Sequence, residues 1–402
     1  MDRKNIVLLL GMAGFIVMAD NWVVSPILPA ISENLGIAPE KAGLLISAYM
    51  IPFGIFQLIF GPLADRYGKK QVIAFSTLVF AFTTGLCAFG SGLFDLSLYR
   101  ALTGVFAASV MPISLALIGD LFPIEKRQTA IGTFMGISFL GQGLSMATGG
   151  LISYLFDWRG VFAVYAALSV IPVVALFRHY REIPSVKHEN SKFLAPYWQL
   201  LRNPDSFFTY VLVLLEGLFI IGSFSYLGAY IAKAYRFNYL VIGLLMTAFG
   251  LMTLVGGRLS GKLTSRIGAR SLLTMGLAIA ALSDAALCCA GDVLWVLLVS
   301  VGLLGLGFIF THSTLLTRAT QFAQKSRGAA MSLVAFCFMG GGGIGTAIGS
   351  GIIKAYGISN FFLAYGAALL CTLLLSFVLV RGPVVALAQS PAREKPLNME
   401  TA

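Results

Sequence analysis

Long apolar runs alternate with short polar segments along the whole chain. Each run is long enough to cross a hydrocarbon core of roughly 30 Å as a helix. Backbone groups in lipid must be satisfied internally, which leaves helices or a closed barrel. The continuously apolar stretch from Val293 to Phe310 lacks the alternation of a barrel strand. The pattern therefore predicts an all-α polytopic membrane protein with twelve transmembrane helices, at 5–31, 42–63, 71–91, 94–118, 129–154, 159–178, 207–233, 239–261, 271–291, 293–318, 328–353 and 359–380.

The distribution of charge predicts how these helices are oriented. Only 11% of the 402 residues are charged, against about 25% in soluble domains. Of the 28 Lys and Arg residues, 22 fall in alternate gaps and in the terminal segments. The intervening gaps hold five, and Arg100 lies within a span. The positive-inside rule then predicts cytoplasmic termini, in a multi-pass protein of the cell (inner or plasma) membrane. The net charge of +11 is thereby explained as a topology signal, which argues against nucleic acid as a partner.

The two halves of the chain repeat each other at an offset of 200 residues. The segment Gly61–Lys70 falls on Gly261–Arg270, with Gly, Leu, Arg, Gly and a final basic residue in common. Arg127 falls on Arg327 and Tyr165 on Tyr365. We therefore predict two pseudo-symmetric six-helix halves, 1–178 and 207–381, joined by a cytoplasmic linker, 179–206, and followed by a cytoplasmic tail, 382–402. Duplicated halves are typical of transporters, whose substrate site lies between them near the bilayer midplane.

These features resemble the major facilitator superfamily over about the whole length. The resemblance implies the major facilitator fold and a conformational latch at the loop between helices 2 and 3. The residues to which it assigns the latch are Gly61, Asp65, Arg66, Gly68, Lys70 and Arg127. Asp65 and Arg66 offer a charge pair there, whereas the second copy has Ser265 in place of the acid.

Three further segments resemble the twelve-helix drug–proton antiporter branch. They are Asp20–Pro29 in helix 1, Leu98–Gly104 in helix 4 and the Asp157-Trp158-Arg159 turn. Helix 5 departs from that branch, because Ser145-Met146 stands where a Gly-Pro pair is expected ahead of Gly149-Gly150. The departure leaves the direction of coupling open.

Five ionisable side chains are candidates for a position at bilayer depth: Asp20, Arg100, Glu216, Asp284 and His312. Such groups are costly at bilayer depth and mark function by default. The resemblance implies that helices 1, 4, 7 and 10 line the central cavity, and four of the five side chains lie on those helices, one on each. Asp284 lies on a helix that the resemblance places at the periphery, which favours a structural role.

Asp20 is predicted to carry a proton, with Arg100 as its partner and Asn21 in the same cavity. The alternative is a fixed structural pair between Asp20 and Arg100. Since burial and a neighbouring cation act oppositely on a carboxyl group, either role is chemically reasonable.

Glu216 belongs to a polar stripe with Thr209, Ser223 and Tyr230, spaced by seven and joined by Tyr226. The stripe predicts a cavity wall, on which Glu216 carries a second proton or attracts a cationic substrate. The alternative is a hydrogen bond to a neighbouring helix.

His312 suits a pH-sensitive role, because imidazole changes charge in the physiological range. The alternative is a histidine that is simply hydrogen-bonded or hydrated.

No enzyme is predicted. The sequence has no Walker loop and no Cys/His cluster with zinc spacing, so we expect no metal and no cofactor, with the proton gradient as driving force. Its five cysteines lie in apolar runs as free thiols.

The leading hypothesis is a monomeric, proton-coupled antiporter that exports a small amphipathic or drug-like molecule across the bilayer. The alternatives are a proton symporter or uniporter for a metabolite or anion and, less favoured, a lipid translocase.

Overall fold

The computed structural model describes residues 3–183, 195–322 and 327–380. Within them lie twelve helical spans that are long and apolar enough to cross a membrane. The predicted tail and residues 184–194 of the predicted linker lie outside the described residues. The helices are span 1, Arg3–Trp22 and Val24–Leu35; span 2, Pro39–Ala42 and Leu44–Tyr67; span 3, Lys69–Cys87; span 4, Leu93–Ala107 and Val110–Leu121; span 5, Ile124–Leu155; span 6, Trp158–Arg178; a linker helix, Ala195–Arg202; span 7, Pro204–Glu216, a π-helical turn Gly217–Ile221 and Gly222–Tyr235; span 8, Tyr239–Ile267; span 9, Ala269–Ala290; span 10, Leu294–Gln321; span 11, Arg327–Tyr356; and span 12, Ile358–Leu379.

The twelve predicted spans are confirmed, and each coincides with its helix to within a few residues at most ends. Four spans contain interruptions that the apolar pattern does not show. Span 1 is divided at Val23, span 2 at Gly43 and span 4 after Ala107, and span 7 holds the π-helical turn directly after Glu216. Turns of this kind are rare and are frequently found at functional sites.

The backbone repeats the offset of 200 residues found in the sequence. Gly68 and Gly268 end spans 2 and 8 with φ of 103° and 82°, a region that favours glycine. Gly343 of span 11 lies against Met50 of span 2, and the equivalent residues, Gly143 and Gly250, meet between spans 5 and 8. The two halves thus contact each other along two equivalent seams.

We call the membrane side that carries Gly68 and the linker helix the linker face, and the side that carries Gly36 and Gly357 the distal face. Close backbone contacts seal the distal half of the interface. Gly228 of span 7 lies against the carbonyl group of Ser25 in span 1, and Gly150 of span 5 lies against Gly243 of span 8. Small residues permit this approach of helices in lipid, where packing drives association.

Candidate functional site

A buried ion pair joins spans 1 and 4 inside the first half. Arg100 Nη1 lies 2.8 Å from Asp20 Oδ2, and the side chains are 1% and 0% exposed. The guanidinium carbon also lies 4.2 Å from the ring centroid of Tyr49. Arg100 and Asp20 therefore come together as expected from the sequence, and the aromatic face of Tyr49 adds a contact that sequence analysis did not anticipate.

A second pair joins spans 7 and 10 inside the other half. Glu216 Oε2 lies 3.2 Å from His312 Nδ1. The Glu216 side chain is 0% exposed, whereas that of His312 is 20% exposed. Glu216 Oε1 is buried and has no hydrogen-bond partner among the described residues. A partly exposed imidazole thus lies beside a fully buried carboxyl group.

Aromatic rings fill the centre of the interface and lead to His312. Trp22 of span 1 lies edge-on to Phe224, with 5.2 Å between ring centroids. It also lies 6.2 Å from Phe308 of span 10. The His312 ring is 5.2 Å from Phe308 and 4.5 Å from Phe338. These rings, which we call the aromatic cluster, are Trp22, Phe224, Phe249, Phe308 and Phe338.

A cavity of about 20 Å³ remains beside Trp22, between the halves. Asn21 contributes to its wall, and Asn21 Nδ2 lies 3.8 Å from the sulfur of Met339. The Asn21 side chain therefore faces the second half, whereas its neighbour Asp20 turns towards Arg100.

The polar stripe of span 7 requires a correction, because the structure does not place it on one cavity wall. Thr209 accepts a hydrogen bond from Arg318 Nε at 3.0 Å, so the part of the stripe at Thr209 faces span 10. Ser223 and Tyr230 instead bond to Asp284 and to the Leu287 carbonyl of span 9. The π-helical turn lies between the two sets and rotates the helix, so that a spacing of seven no longer keeps one face.

Asp284 lies fully buried between helices of the second half. Ser223 Oγ donates to Asp284 Oδ1 at 2.6 Å, and Oδ2 has no hydrogen-bond partner in the described part of the chain. No ion pair of Asp284 is present among the described residues. This placement fits the structural role that its peripheral helix suggested.

Hydroxyl groups fasten the two halves near the distal face. Ser25 Oγ lies 2.7 Å from the Phe224 carbonyl oxygen. Ser47 Oγ lies 2.8 Å from that of Gly343. Tyr226, expected on the cavity wall, instead donates to the carbonyl groups of Glu40 and Thr346. The signal for these contacts was a set of hydroxyl side chains within apolar runs, which sequence analysis did not weigh beyond Tyr226.

The predicted latch forms a different ion pair from the one expected. The Asp65 carboxylate pairs with Lys69 at 3.7 Å and not with Arg66. Lys69 also lies 2.6 Å from Asp120 of span 4. Lys70 Nζ stacks 5.0 Å from the Tyr180 ring centroid. Since both Lys69 partners belong to the first half, this cluster ties spans 2, 3 and 4 together.

The remaining latch positions lie at the same face. Gly68 makes the turn between spans 2 and 3, and Gly61 has open space beside it. Arg127 Nη2 donates to the Phe122 carbonyl oxygen at 3.4 Å. The described residues contain no group of three His, Cys, Asp or Glu side chains that could hold a metal ion.

Comparison with known proteins gives the same picture as the helices. A model of the Major Facilitator Superfamily matches residues 10–320 and 217–401. An uncharacterized MFS-type transporter of Bacillus subtilis, YceJ, is 29% identical over 65% of this chain and 67% of its own.

Two more distant proteins are also similar. Multidrug resistance protein 3 of Bacillus subtilis is 28% identical over 43% of this chain, and the alignment spans a third (33%) of that relative. The crystal structure of a bacterial homologue of the human lysosomal transporter Spinster, inward-facing and unoccupied, matches with a TM-score of 0.74 at 16% identity. It covers 94% of both chains. The likeness to this structure concerns the fold alone.

Proposed function

The chain belongs to the major facilitator superfamily of membrane transporters, and we propose that it is a proton-coupled antiporter that exports small amphipathic molecules by alternating access. As a member of this family it is a multi-pass secondary transporter and not an enzyme. Its substrate is a small molecule, and the proton is proposed as the coupling ion.

The observation that carries the proposal is the pair of Glu216 and His312. A carboxyl group at bilayer depth is tolerated when it is paired or has a function. His312 is 20% exposed and contacts the aromatic cluster through Phe308 and Phe338. A proton that reaches Glu216 through His312 neutralises the carboxylate and ends its ionic contact with the imidazole. The site beside the interface then carries one negative charge fewer. Substrate and proton then compete for one site, as antiport requires.

Asp20 takes second place as a proton carrier. Its partner Arg100 is always charged, and both side chains are shielded from solvent. Protonating Asp20 leaves an unpaired guanidinium inside the first half, at a cost of several kcal/mol. The geometry therefore favours the fixed pair over the carrier, although Arg100 also stacks on Tyr49 and keeps that contact.

Export is proposed as the direction of transport, and the topology and the seal are compatible with it. We place the linker face in the cytoplasm, because the basic residues concentrate in its segments. The contacts of Ser25, Ser47 and Tyr226 join the halves in the distal half of the interface. A carrier closed on that side opens to the cytoplasm, a state in which an exporter loads its substrate and an importer releases it.

Import by proton symport is the second candidate, and span 5 favours it. This span is one uninterrupted helix, Ile124–Leu155, without the proline bend of the antiporter branch. Gly141 still lies against the Phe15 carbonyl group of span 1, so the close helix approach is kept. Transport of dyes into or out of oriented vesicles distinguishes the two directions.

The test is accumulation of fluorescent cationic and neutral dyes in energised cells, with and without a protonophore. We expect less dye in cells that express the protein, and this difference should vanish with the protonophore and in Glu216→Gln. Exposed Asp292→Asn is the control acid. Uphill export that persists in both Asp20→Asn and Glu216→Gln contradicts the proposal.

A further inference from the structure

We infer that Asn21 selects substrates that carry a hydrogen-bond donor beside an aromatic ring. The inference rests on the proposed function, since it names the substrate class of the same central site. It assigns to Asn21 a role in specificity that is separate from proton coupling by Glu216.

The geometry of Asn21 leaves one strong acceptor unused. Its side chain lines the cavity between the halves and is 8% exposed. Among the described residues, Asn21 Nδ2 has only the thioether sulfur of Met339 as acceptor, at 3.8 Å, and sulfur accepts weakly. Asn21 Oδ1 is buried and has no hydrogen-bond partner within the same residues. Buried amide oxygens are ordinarily paired, so this one is complementary to a donor that is supplied from outside the chain.

The other polar side chains of this cavity are already engaged. Ser25 donates to the carbonyl groups of Phe224 and Ser225, and Ser225 donates to the Ile221 carbonyl oxygen. Among the described side chains that line the cavity, Asn21 alone has a buried oxygen without a partner. The acceptor is therefore a single point of recognition.

The surroundings of Asn21 define the rest of the ligand. Trp22, the next residue, lies 5.2 Å from the Phe224 ring and 5.7 Å from the Phe249 ring. Such rings pack edge-on or offset against a flat aromatic ligand. A cavity of about 20 Å³ holds only a water-sized group, so the ligand enters as the halves separate. Its N–H or O–H then meets Asn21 while its ring meets Trp22.

Two dyes with the same ring system test the inference. Rhodamine 6G carries one N–H on each of its two amino groups, whereas both amino groups of rhodamine B ethyl ester are fully alkylated. Equilibrium binding to the purified protein is measured without a proton gradient. We expect Asn21→Leu to weaken binding of rhodamine 6G about tenfold, as for one lost hydrogen bond to a cationic ligand, and that of the ester less than about twofold. Asn21→Asp keeps an acceptor oxygen and should retain the preference for rhodamine 6G.

The controls separate this inference from the proposed function. Asn360→Leu, at an exposed position near the start of span 12, should bind both dyes as the parent does. Equal weakening of both dyes in Asn21→Leu, an unchanged preference, or binding of neither dye to the parent overturns the inference. The binding assay uses no proton gradient, so a preference for rhodamine 6G that depends on Asn21 supports the inference even if Glu216→Gln still exports dye. Conversely, protonophore-sensitive export that is unchanged in Asn21→Leu supports the proposed function and not the inference.

Discussion

Ser25 Oγ lies 3.1 Å from the backbone oxygen of Ser225, the residue that occupies the same place in the second half of the chain. Residues related by the internal repeat meet only where its pseudo-two-fold axis passes between the halves. The same hydroxyl group lies 2.7 Å from the Phe224 carbonyl oxygen. Ser25 therefore fastens spans 1 and 7 at the pseudo-two-fold axis.

Ser25→Ala should shift the protein towards a state open at the distal face. It removes a hydroxyl group that reaches two carbonyl oxygens, and one hydrogen bond contributes a net stabilisation of about 0.5–1.5 kcal/mol. A shift of this size changes the population of the open state by about two- to tenfold. The measurement is the labelling rate of a cysteine at Ala229 by an impermeant maleimide, in a background without the five native cysteines.

Ser169→Ala is the matched control for Ser25→Ala. Its buried hydroxyl group bonds only to the Tyr165 carbonyl oxygen within span 6. Equal labelling rates in the two variants show that Ser25 does not hold the seal.

Glu216→Gln should abolish uphill transport while exchange down a substrate gradient continues. The amide keeps a hydrogen bond to His312 but takes up no proton. Exchange without net transport is measured as counterflow of labelled dye in vesicles. Loss of counterflow as well as uphill transport indicates instead that Glu216 is needed for binding or folding.

His312→Gln should impair uphill transport while counterflow continues. Nδ1 of His312 lies 3.2 Å from the Glu216 carboxylate, and the imidazole is the proposed route by which a proton reaches that group. Glutamine retains a hydrogen-bond donor but relays no proton. Uphill transport and counterflow of labelled dye in vesicles are the measurements. Unaltered uphill transport excludes His312 from the proton route.

Removing one member of the Asp20–Arg100 pair should destabilise the fold more than removing both. A single substitution leaves the other charged side chain unpaired at a site that is at most 1% exposed, which should lower the free energy of unfolding by about 3–5 kcal/mol. Asp20→Asn combined with Arg100→Gln leaves no net charge behind. Thermal unfolding of the purified variants in detergent compares them. A double variant that melts below both single variants contradicts a purely structural pair.

Gly243→Ala should keep the distal face from closing. A Cβ atom at Gly243 meets the Met146 carbonyl oxygen and lies 3.0 Å from the Gly150 Cα atom. Both neighbours are backbone atoms, so spans 5 and 8 must separate. Gly261→Ala in the same span meets nothing within 4 Å and serves as control. Export and the labelling rate at Ala229 should both change in Gly243→Ala, and neither should change in Gly261→Ala. Equal export and equal labelling rates in the two variants contradict a role of the contact between spans 5 and 8 in closing the distal face.

Much of the fold was predictable because apolar runs record burial in lipid directly. The twelve spans follow from this pattern, and the offset of 200 residues is visible in both sequence and backbone. The partners of Asp284 and Ser223 were not predictable, since they depend on how span 7 is rotated. One π-helical turn, which leaves no mark in an apolar sequence, changes that rotation.

The sequence identified which residues belong to the candidate site better than it identified which of them pair with each other. Isolated charges marked Asp20, Arg100, Glu216 and His312, and the structure joins them two by two. The contact of Asp65 with Lys69 differs from the expected neighbour pair, because side chains four residues apart share a helical face and adjacent ones do not.

The hydroxyl groups that fasten the seal near the distal face carry no formal charge. Ser25, Ser47 and Tyr226 each donate across it to a carbonyl oxygen. A membrane potential of 100 mV contributes about 2.3 kcal/mol for each elementary charge that crosses the field, and moving these hydroxyl groups carries none across. Breaking these three contacts is therefore electrically silent. The carboxylate of Glu33, which accepts a hydrogen bond from Tyr239 of span 8, is a contact between the halves at this face that does carry a charge on which voltage acts.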